Sequence, residues 1–432
     1  MGTTANTASL PYQSYTPVAN RGRRGTLRRD RIDMMTDLLH SGGLALLGAQ
    51  VAALLVILTR LMPGRTRRPP VEPLLTSNRD TTVSVIVTTL NEAKRIGPCL
   101  EGLMSQLDPM LEVLVVDSRS TDGTRELVQA AAARDSRIRL ITDRPLPSGW
   151  VGKVWALETG LRHARGEWVL GIDADTVPAR GLVGAVVKAM SVDNFDVASF
   201  APRFMSQSVG ERFVQPAMLV TLVYRCGAAG ATQPPPDRVL ANGQCFMARR
   251  ALLEQHGGYA PARASFSDDV TLARHLAARG ARVGFLDGSR IIAVRSYASL
   301  GEMWREWGRS FDLKDATPMW RRWMDVAMVW LVQALPIPML LLCAAFFTTL
   351  DTLTGGDPRI MLLQALALVN ASALSVRLML LIALRGHYTV RGASFWLSWL
   401  ADIPAAWRLT QSTARVPRSW RGRHYDALAA DA

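Results

Sequence analysis

Lysine is scarce in this chain of 432 residues. Fifty Lys and Arg side chains stand against 36 Asp and Glu side chains, and arginine carries nearly all of the net charge of +14. Arginine suits phosphate groups, because its planar guanidinium binds two oxygens at once. The arginines flank apolar segments and line no recognisable nucleic-acid module, so we expect membrane-proximal charge and no nucleic-acid partner. The four lysines are Lys94, Lys153, Lys188 and Lys314.

Cysteine is equally rare, with four residues in the whole chain. Their spacing forms no Cys-x-x-Cys pair and no Cys/His pattern, which argues against a zinc site and against a disulfide framework. A reducing cytoplasmic setting fits this usage. The cysteines are Cys99, Cys226, Cys245 and Cys343.

No acidic residue precedes Asp30, and residues 1–33 show no apolar periodicity. Such a stretch is typical of a disordered basic tail, since it offers too little apolar surface to bury. The same composition resembles a transit peptide, and translation from Met34 or Met35 is a further alternative. The sequence leaves these alternatives open.

Charge is nearly absent from three apolar stretches, residues 38–62, 324–350 and 360–384. Each stretch is long enough for a helix to cross the hydrocarbon core of a bilayer, which takes about 20 residues. We therefore predict an N-terminal transmembrane helix at residues 34–64. Residues 319–410 are predicted to hold C-terminal transmembrane and interfacial helices, which makes the protein multi-pass.

Proline and charge mark the borders of these stretches. Several prolines predict a linker at residues 65–81, and Pro336 should kink the second stretch. Arg377 lies inside the third stretch, where its charge is costly unless the side chain faces protein. Residues 393–409 are short and rich in tryptophan, which favours an interfacial or re-entrant helix over a span. The basic segment 411–432 is predicted to be a cytoplasmic tail.

Short apolar runs alternate with helical patterns in residues 82–318. This alternation is typical of an α/β domain with a mostly parallel sheet, which helices cover on both faces. Ligands of such sheets bind at the carboxyl ends of the strands. Strands are predicted at residues 83–88, 112–117, 138–142, 168–173 and 197–201.

Polar side chains stand where several of these strands end. Asp173 and Asp175 close the run WVLGIDAD, and two carboxylates one residue apart can hold a hard divalent cation beside a diphosphate. Such a pair alone is also typical of a solvated loop. Asn91 and Glu92 follow the first strand, and Asp117 ends the second at a turn that favours the next helix.

Four motifs occur in one order: LNE at residues 90–92, DSRSTDGT at 117–124, GWVGK at 149–153 and DAD at 173–175. Together they resemble the family 2 inverting glycosyltransferases of the GT-A fold, over roughly residues 82–288. The resemblance implies a GT-A nucleotide-sugar-binding domain with transmembrane helices at both ends. It also implies a nucleotide-sugar donor and a divalent metal, Mg²⁺ or Mn²⁺.

The resemblance assigns roles to single residues of these motifs. Asp117 would contact the nucleotide base, and Asn91 and Glu92 would line the same pocket. Asp175 would bind the metal, while Asp173 would contact the ribose and the metal shell.

The resemblance implies that two further residues take part directly in the transfer reaction. Lys153 matches the family's Gly-Lys motif, in which the cation faces the diphosphate leaving group. Most lysines at a helix start are solvated, but the scarcity of lysine here favours a functional role. Asp269, in the run DDVTL, occupies the position of the general base that takes the acceptor proton. Asp268 stands beside it at a predicted helix start, where an acid is favourable against the helix dipole.

Residues 302–310 bear on how many sugars are transferred. Processive family members carry Gln-x-x-Arg-Trp there, but this chain lacks the Gln and has Glu306 where Arg would stand. The departure argues against a growing polysaccharide. An amphipathic interfacial helix is the alternative interpretation of this segment.

The segments at residues 149–156, 242–244 and 256–259 narrow the likeness to enzymes that glycosylate isoprenoid lipids, including bacterial carotenoid glycosyltransferases and hopanoid-associated relatives. The resemblance thus implies transfer of a single sugar to a hydroxyl of an isoprenoid lipid such as a carotenoid. The expected location is the inner membrane, with the catalytic domain facing the cytoplasm. Rival functions are a polyprenyl-phosphate or polysaccharide glycosyltransferase and a catalytically inactive membrane scaffold.

Overall fold

The computed structural model describes residues 1–2, 21–75, 81–231, 235–295, 297, 299–307, 311, 313–349, 357–415, 419–420 and 423–425. Its strands are β1 Val83–Thr89, β2 Met110–Asp117, β3 Ile138–Thr142, β4 Trp168–Asp173, β5 Thr176–Pro178, β6 Val197–Ala201, β7 Arg203–Phe204, β8 Cys245–Arg249, β9 Val283–Asp287, β10 Ile292–Val294, β11 Ser419–Trp420 and β12 Arg423–His424. Its helices are α1 Arg21–Leu61, α2 Ile96–Met104, α3 Thr124–Arg134, α4 Gly152–His163, α5 Leu182–Val192, α6 Val209–Cys226, α7 Arg250–Gln255, α8 Asp268–Ala277, α9 Leu300–Trp307, α10 Met319–Val329, α11 Pro336–Thr349, α12 Pro358–Leu384, α13 Ala393–Trp396 and α14 Asp402–Ala414.

The central sheet has seven strands in the order β3-β2-β1-β4-β8-β6-β9. Strand β8 runs antiparallel to β4 and β6, while the other neighbouring pairs are parallel. The strand order reverses between β1 and β4, and a crevice at such a switch point is where open α/β sheets bind ligands. The predicted α/β class with a mostly parallel sheet is confirmed.

Side chains of β1 alternate between two hydrophobic cores, one on each face of the sheet. Val85 and Val87 pack into a core with α2 and α5, whereas Ile86 packs into a second core with α4 and α8. Successive residues of a strand point to opposite faces, so a continuous apolar run is the pattern of a strand buried on both sides. This burial holds the carboxyl ends of β1 and β4 in fixed positions.

The predicted strands at residues 138–142, 168–173 and 197–201 match β3, β4 and β6, and the other two differ by one or two residues at an end. Helix α6 was not predicted, although Ser208 and Glu211 form a complete capping box at its start. Pro216 lies inside this helix and interrupts the sequence pattern that would have indicated it. Helix α6 packs against α1, α12 and α14, and so joins the α/β domain to the apolar helices.

Two helices are long and apolar enough to cross a membrane, Asp37–Thr66 and Pro358–His387. A third span is possible by length and composition if Met319–Ala334 and Pro336–Phe347 act together, although they are bent by 48° at the break. The bend lies at Pro336, as expected, because proline cannot continue the hydrogen bonding of a helix. These candidate spans indicate a membrane-associated protein. Helix α14, with 13 residues, is too short to span.

Arg377 faces protein, as its position in an apolar helix required. Its side chain is 1% exposed, and its Nε lies 2.9 Å from both carboxylate oxygens of Asp402. Gln333 donates to the same carboxylate at 2.9 Å and to the carbonyl of Ala217 at 2.8 Å. This buried network therefore ties α12, α14 and α6 together.

The expected N-terminal tail needs a correction. Helix α1 begins at Arg21, so residues 21–33 are helical, and only residues 3–20 of that tail lie outside the described part. Helices extend readily past their apolar core, because each added residue gains one hydrogen bond once the helix is nucleated. Parts of the linker at 65–81, of the segment 302–310 and of the tail at 411–432 also lie outside the described residues.

Candidate active site

A small cavity of about 80 Å³ lies at the carboxyl ends of β1 and β4, where the strand order reverses. Glu92, Lys153, Asp173 and Asp175 line it together. Four of the seven residues predicted for the site therefore meet at this cavity, although they come from three separate sequence motifs. The geometry brings one cation and three carboxylates into one small space.

Asn91 and Asp117 lie beside this cavity but do not line it, and their contacts with a donor stay a prediction. Asp117 is fully buried and accepts hydrogen bonds from the Ser120 amide at 3.1 Å and from the Arg125 guanidinium at 2.9 Å. Asn91 accepts from the Thr121 amide at 2.9 Å. Both side chains brace the loop after β2, because its free amides and hydroxyls need acceptors close by.

Glu92 lines the cavity, 6% exposed, and forms an ion pair with Arg95 at 2.9 Å. Burial raises the pKa of Glu92 to about 7, and this effect outweighs the opposing influence of Arg95. Its backbone amide donates to Thr124 Oγ1 at 2.9 Å, which connects the end of β1 to α3. Glu92 is therefore held in place at the edge of the cavity.

Lys153 is the second residue of α4, and its Nζ lies 2.8 Å from Asp173 Oδ1. Burial alone lowers the pKa of Lys153, but the carboxylates of Asp173, Asp268 and Asp269 raise it above its usual range. The ammonium is therefore charged at neutral pH. An ammonium in this position suits an anionic leaving group.

Asp175 carries an unsatisfied oxygen. Its Oδ1 is buried and has no hydrogen-bond partner in the part of the chain that the structure describes. Burial and the nearby charges of Asp173 and Glu92 raise the pKa of Asp175 to about 7. A buried carboxylate without a partner is unfavourable, so this oxygen is suited to a bound cation.

The residues present fit a divalent cation held jointly by protein and ligand. Among the described residues, no group of three or more His, Cys, Asp or Glu side chains is arranged to hold a metal. Mg²⁺ and similar ions, however, are often bound by one or two carboxylates while substrate phosphates and waters complete the shell. Asp175 and Asp173 would supply that pair.

We expect the stability of the metal-free protein to fall as the pH rises from about 4 to about 7. The folded-state pKa of Asp175 is about 7, above its ordinary value of 3.8, so the folded protein binds this proton more tightly than the unfolded chain. That contribution to stability is present at low pH and is lost as the pH rises through the folded pKa. Thermal unfolding of the protein across this range measures the effect.

Added Mn²⁺ should raise the melting temperature more at pH 8 than at pH 5, because it binds the ionised carboxylate. In the Asp175→Asn variant both the pH slope and the response to Mn²⁺ should be smaller. An unchanged slope and an unchanged Mn²⁺ response in that variant would contradict the assignment.

Asp268 and Asp269 open α8 and line a second, larger cavity of about 320 Å³. Asp269 accepts hydrogen bonds from the Gly243 amide at 2.6 Å and from the Val270 amide at 2.8 Å. Burial raises the pKa of Asp269 despite the opposing charge of Lys153. The two amide donors fix the direction of its carboxylate, which suits a general base.

Asp268 is more deeply buried than a simple helix-start residue. It is 8% exposed, and burial raises its pKa to about 7 although the charge of Lys153 lowers it. The residue before it, Ser267, makes no side-chain capping bond. Asp268 thus faces the same cavity as Asp269, which the helix-start interpretation did not anticipate.

Lys153 and Asp173 line both cavities and so connect them. Gly243 completes the junction, because a Cβ built there would lie 3.0 Å from Lys153 Nζ and 3.5 Å from Asp269 Oδ2. The larger cavity extends from this junction to helix α12. Its apolar wall includes Phe204, Leu219, Leu222, Leu380, Ala383 and Leu384.

One residue of the small cavity was missed from the sequence. Tyr425 lies in the segment predicted to be a basic tail, yet it is 6% exposed and lines the cavity. The Gly152 amide donates to its hydroxyl at 3.2 Å. Its isolated position, 272 residues after Lys153 in sequence, gives no local pattern that would reveal it.

Comparison with known families identifies the central part of the chain. Residues 84–257 match the family model for Glycosyl transferase family 2. This segment therefore resembles a family 2 glycosyltransferase domain, in agreement with the expected enzyme class. Asp268 and Asp269 lie beyond the matched residues.

Several curated glycosyltransferases are similar to this chain. Glycosyltransferase AglE of Haloferax volcanii is 29% identical over 191 residues, which cover 39% of this chain and 60% of that protein. Dolichyl-phosphate beta-glucosyltransferase ALG5C of Trichomonas vaginalis is 32% identical over 111 residues, 24% of this chain and 32% of that protein. The chain spans 60% or less of the length of these curated relatives.

Among solved structures, the mannosyltransferase PcManGT from Pyrobaculum calidifontis, in complex with GDP-Man and Mn²⁺, is 22% identical to this chain. The alignment covers 87% of this chain and 97% of that one, with a TM-score of 0.47.

Proposed function

We propose that this protein is a membrane-bound, metal-dependent inverting glycosyltransferase. It transfers one sugar from a nucleotide donor to a hydroxyl of an isoprenoid lipid, with a carotenoid as the proposed acceptor. The observation that carries the proposal is the larger cavity, which runs from Asp269 to Leu380 and Leu384 of the candidate membrane helix α12. A lipid that enters along α12 can thus present a polar end to the carboxylate.

The size and lining of this cavity support a lipid acceptor. Its volume of about 320 Å³ lies within the range of ligand pockets, about 300 to 1,000 Å³. One end is apolar, and the other holds Asp268, Asp269 and Lys153. An amphiphilic acceptor with a long apolar body and one reactive group matches this arrangement.

Charge at the reactive end favours a neutral hydroxyl over a phosphate. Two carboxylates, Asp268 and Asp269, stand there, and Lys153 is already paired with Asp173 at 2.8 Å. A phosphate would be repelled by the carboxylates, whereas a hydroxyl can donate its proton to one of them. The exposed Arg67 also lines the cavity and is the feature that favours the alternative acceptor, a polyprenyl phosphate.

The proposed reaction exchanges one bond for another at the sugar. The acceptor oxygen forms a bond to C1 from the face opposite the diphosphate, the bond from C1 to the diphosphate oxygen breaks, and Asp269 takes the hydroxyl proton. Lys153 stands on the leaving-group side and neutralises the charge that develops there. A divalent cation bound at Asp175 and Asp173 would supply further charge stabilisation for the departing diphosphate.

We also propose the inner membrane as the site of action, with three passes and the catalytic domain in the cytoplasm. Basic residues follow the candidate spans at Arg65, Arg67, Arg385 and Arg391. Positive charge beside a span favours the cytoplasmic side. The nucleotide donor is expected on that side.

The function is tested by measuring transfer with the purified, detergent-solubilised full chain and Mn²⁺. Labelled UDP- and GDP-sugars serve as donors, with a hydroxylated carotenoid, an undecaprenyl phosphate and no acceptor compared in parallel. We expect a monoglycosylated carotenoid. Product formed only with undecaprenyl phosphate would favour a polyprenyl phosphate as the acceptor. If no combination of donor and acceptor gives product, the result favours an inactive scaffold.

A substitution inside the acceptor cavity should separate acceptor binding from donor binding. Leu380→Trp places a large ring in the cavity, so the acceptor KM is expected to rise about tenfold or more, as for the loss of a few buried methylenes. The KM for the donor should be unchanged.

Leu378→Trp is the matched control, because Leu378 lies on the same helix, is 39% exposed and does not line the cavity. Equal effects of the two substitutions on the acceptor KM would argue that the cavity does not hold the acceptor.

A further inference from the structure

A third cavity, of about 210 Å³, lies where helix α1 ends against the α/β domain. Three arginines line it: Arg60 of α1, Arg225 of α6, and Arg238 of a short 3₁₀ turn. In the part of the chain that the structure describes, no Asp or Glu side chain lines this cavity. None of the three arginines lines either of the other two cavities. The proposed reaction therefore leaves this basic cavity without a use.

Two of these arginines share one carboxylate. Arg60 Nη1 lies 3.2 Å from Asp325 Oδ1, and Arg225 Nε lies 3.4 Å from Asp325 Oδ2. The side chains of Arg60 and Arg225 are 6% and 2% exposed. A buried charge is costly unless it is paired. Because Asp325 is shared, it compensates only part of the charge of Arg60.

Arg60 has one guanidinium edge without partners among the described residues. Its hydrogen bonds to them all come from Nη1, which donates to Asp325, to the Tyr224 carbonyl at 3.3 Å and to the Met328 sulfur at 3.5 Å. Nε is buried and has no hydrogen-bond partner in the described part of the chain. The edge formed by Nε and Nη2 can bind two phosphate oxygens as a planar fork. A buried donor without a partner, on an arginine that lines a cavity, indicates an anionic ligand.

Arg238 adds a positive charge on the exposed side of the cavity. The neighbouring carboxylate, Asp237, is paired with Arg321, and Arg238 forms no ion pair with any described residue. An anion in the cavity would therefore lie between one buried and one exposed guanidinium group.

The membrane side of the cavity favours a lipid over a free phosphate ion. Thr59 of α1 is exposed and also lines the cavity. Leu55 and Met62, which are 58% and 55% exposed, share its face of the helix, because residues three or four apart are neighbours on a helix. All three residues belong to the candidate span Asp37–Thr66. An apolar chain can lie along this face while its headgroup enters the cavity, and basic pockets beside membrane helices bind lipid headgroups in this way.

We propose that this cavity binds the phosphate of an anionic phospholipid, with Arg60 and Arg238 as donors and the acyl chains along α1. The inference is independent of the proposed function, since it assigns the lipid no part in sugar transfer. This cavity adjoins the larger one, because both are lined by Gly227, Ala228, Leu240 and Phe285. A bound headgroup would therefore stabilise a wall of the larger cavity and hold the end of α1 against the α/β domain.

The test titrates the purified full chain, in a neutral detergent, with dihexanoyl phosphatidylglycerol and follows thermal unfolding. A ligand that binds the folded protein raises the melting temperature with its concentration, which gives an apparent Kd. Dihexanoyl phosphatidylcholine, inorganic phosphate and farnesyl phosphate are compared in parallel. We expect phosphatidylglycerol to bind about tenfold more tightly than phosphatidylcholine, because the arginines repel the choline cation.

Arg238→Gln should weaken the binding of phosphatidylglycerol about fivefold, the usual contribution of one arginine near an anionic lipid surface. Arg60→Gln removes the buried donors, and the loss should reach about tenfold or more. Because Arg60→Gln also loses the ion pair with Asp325, thermal unfolding without lipid reports whether the fold is retained. Arg238→Gln decides the matter if Arg60→Gln proves unstable.

Arg279→Gln is the matched control, because Arg279 is exposed, follows α8 in the same domain and lines none of the three cavities. It removes the same charge and should bind phosphatidylglycerol as the unchanged protein does. Equal binding in Arg238→Gln and Arg279→Gln would overturn the site, since a general attraction of the basic chain for anions would then explain the binding.

The other ligands decide the chemistry of the occupant. If phosphatidylcholine or inorganic phosphate binds the unchanged protein as tightly as phosphatidylglycerol, the anionic phospholipid is ruled out. If farnesyl phosphate binds more tightly and depends on the same arginines, the phospholipid is again ruled out, and the cavity belongs to a polyprenyl-phosphate acceptor. Sugar transfer to a hydroxylated carotenoid is measured separately, so loss of the lipid site leaves the proposed function standing.

Discussion

Asp175→Asn is expected to abolish sugar transfer while expression and membrane insertion stay normal. Its Oδ1 has no hydrogen-bond partner among the described residues, and its pKa is raised to about 7, so the surroundings disfavour the charged carboxylate, which a cation would stabilise. The amide removes the charge at nearly constant shape, so no cavity opens in the core. Metal affinity and leaving-group stabilisation should fall together.

The measurement is transfer by the purified variant across a range of Mn²⁺ concentrations, with and without a chelator. Asp196→Asn is a suitable control, because Asp196 precedes β6, at the edge of the sheet opposite the carboxyl ends of β1 and β4. Its carboxylate accepts a hydrogen bond from the Arg282 amide at 3.0 Å. The control should keep chelator-sensitive turnover. If Asp175→Asn transfers sugar at a near-normal rate and the chelator does not lower that rate, the metal role of this residue is refuted.

The parallel part of the sheet could be predicted from the sequence because its strands are buried on both faces. Such strands appear as short continuous apolar runs, and β3, β4 and β6 have the predicted bounds. Strands β8 and β9 were not predicted. The run of β8, CFMAR, contains an arginine, and the run of β9, VGFLD, contains a glycine, so neither is a continuous apolar run. The place of both strands in the sheet also depends on pairing with β6, which is distant in sequence.

The site could be predicted where its residues sit at strand ends and helix starts. Lys153, Asp173 and Asp175 are held there by local structure, so a motif in the sequence indicates their position. Asn91 and Asp117 follow the same rule, but the loop after β2 uses their oxygens for its own hydrogen bonds. Local pattern places a side chain near a cavity, but its hydrogen bonds to neighbouring loops, which depend on tertiary structure, cannot be read from that pattern.

Tyr425 and helix α6 show the limit of sequence patterns. Tyr425 reaches the cavity through tertiary packing, which includes its contacts with Phe266 and Gly152. Helix α6 forms despite Pro216, because its apolar side chains are buried against α1, α12 and α14. In both cases burial against elements that are distant in sequence determines the structure. A local sequence pattern does not record such burial.

Asp269→Asn is expected to lower the transfer rate by about 10² to 10⁴-fold, the usual contribution of a general base. The affinity for the donor nucleotide should change far less. Asp269 lies across the junction from the small cavity and does not line it. The proposed donor contacts, at Lys153, Asp173 and Asp175, are therefore retained.

Asp268→Asn is the matched variant, since both carboxylates open α8 and face the same cavity. Asp269 is the stronger candidate because two backbone amides, those of Gly243 and Val270, hold its carboxylate in one direction. An asparagine oxygen can accept from only one of these amides, so thermal unfolding must accompany the assay to separate lost stability from lost catalysis. We expect Asp268→Asn to retain much of its turnover on a hydroxylated carotenoid. If Asp268→Asn is inactive while Asp269→Asn keeps full turnover, the base is Asp268, whose pKa of about 7 would then serve the proton transfer directly.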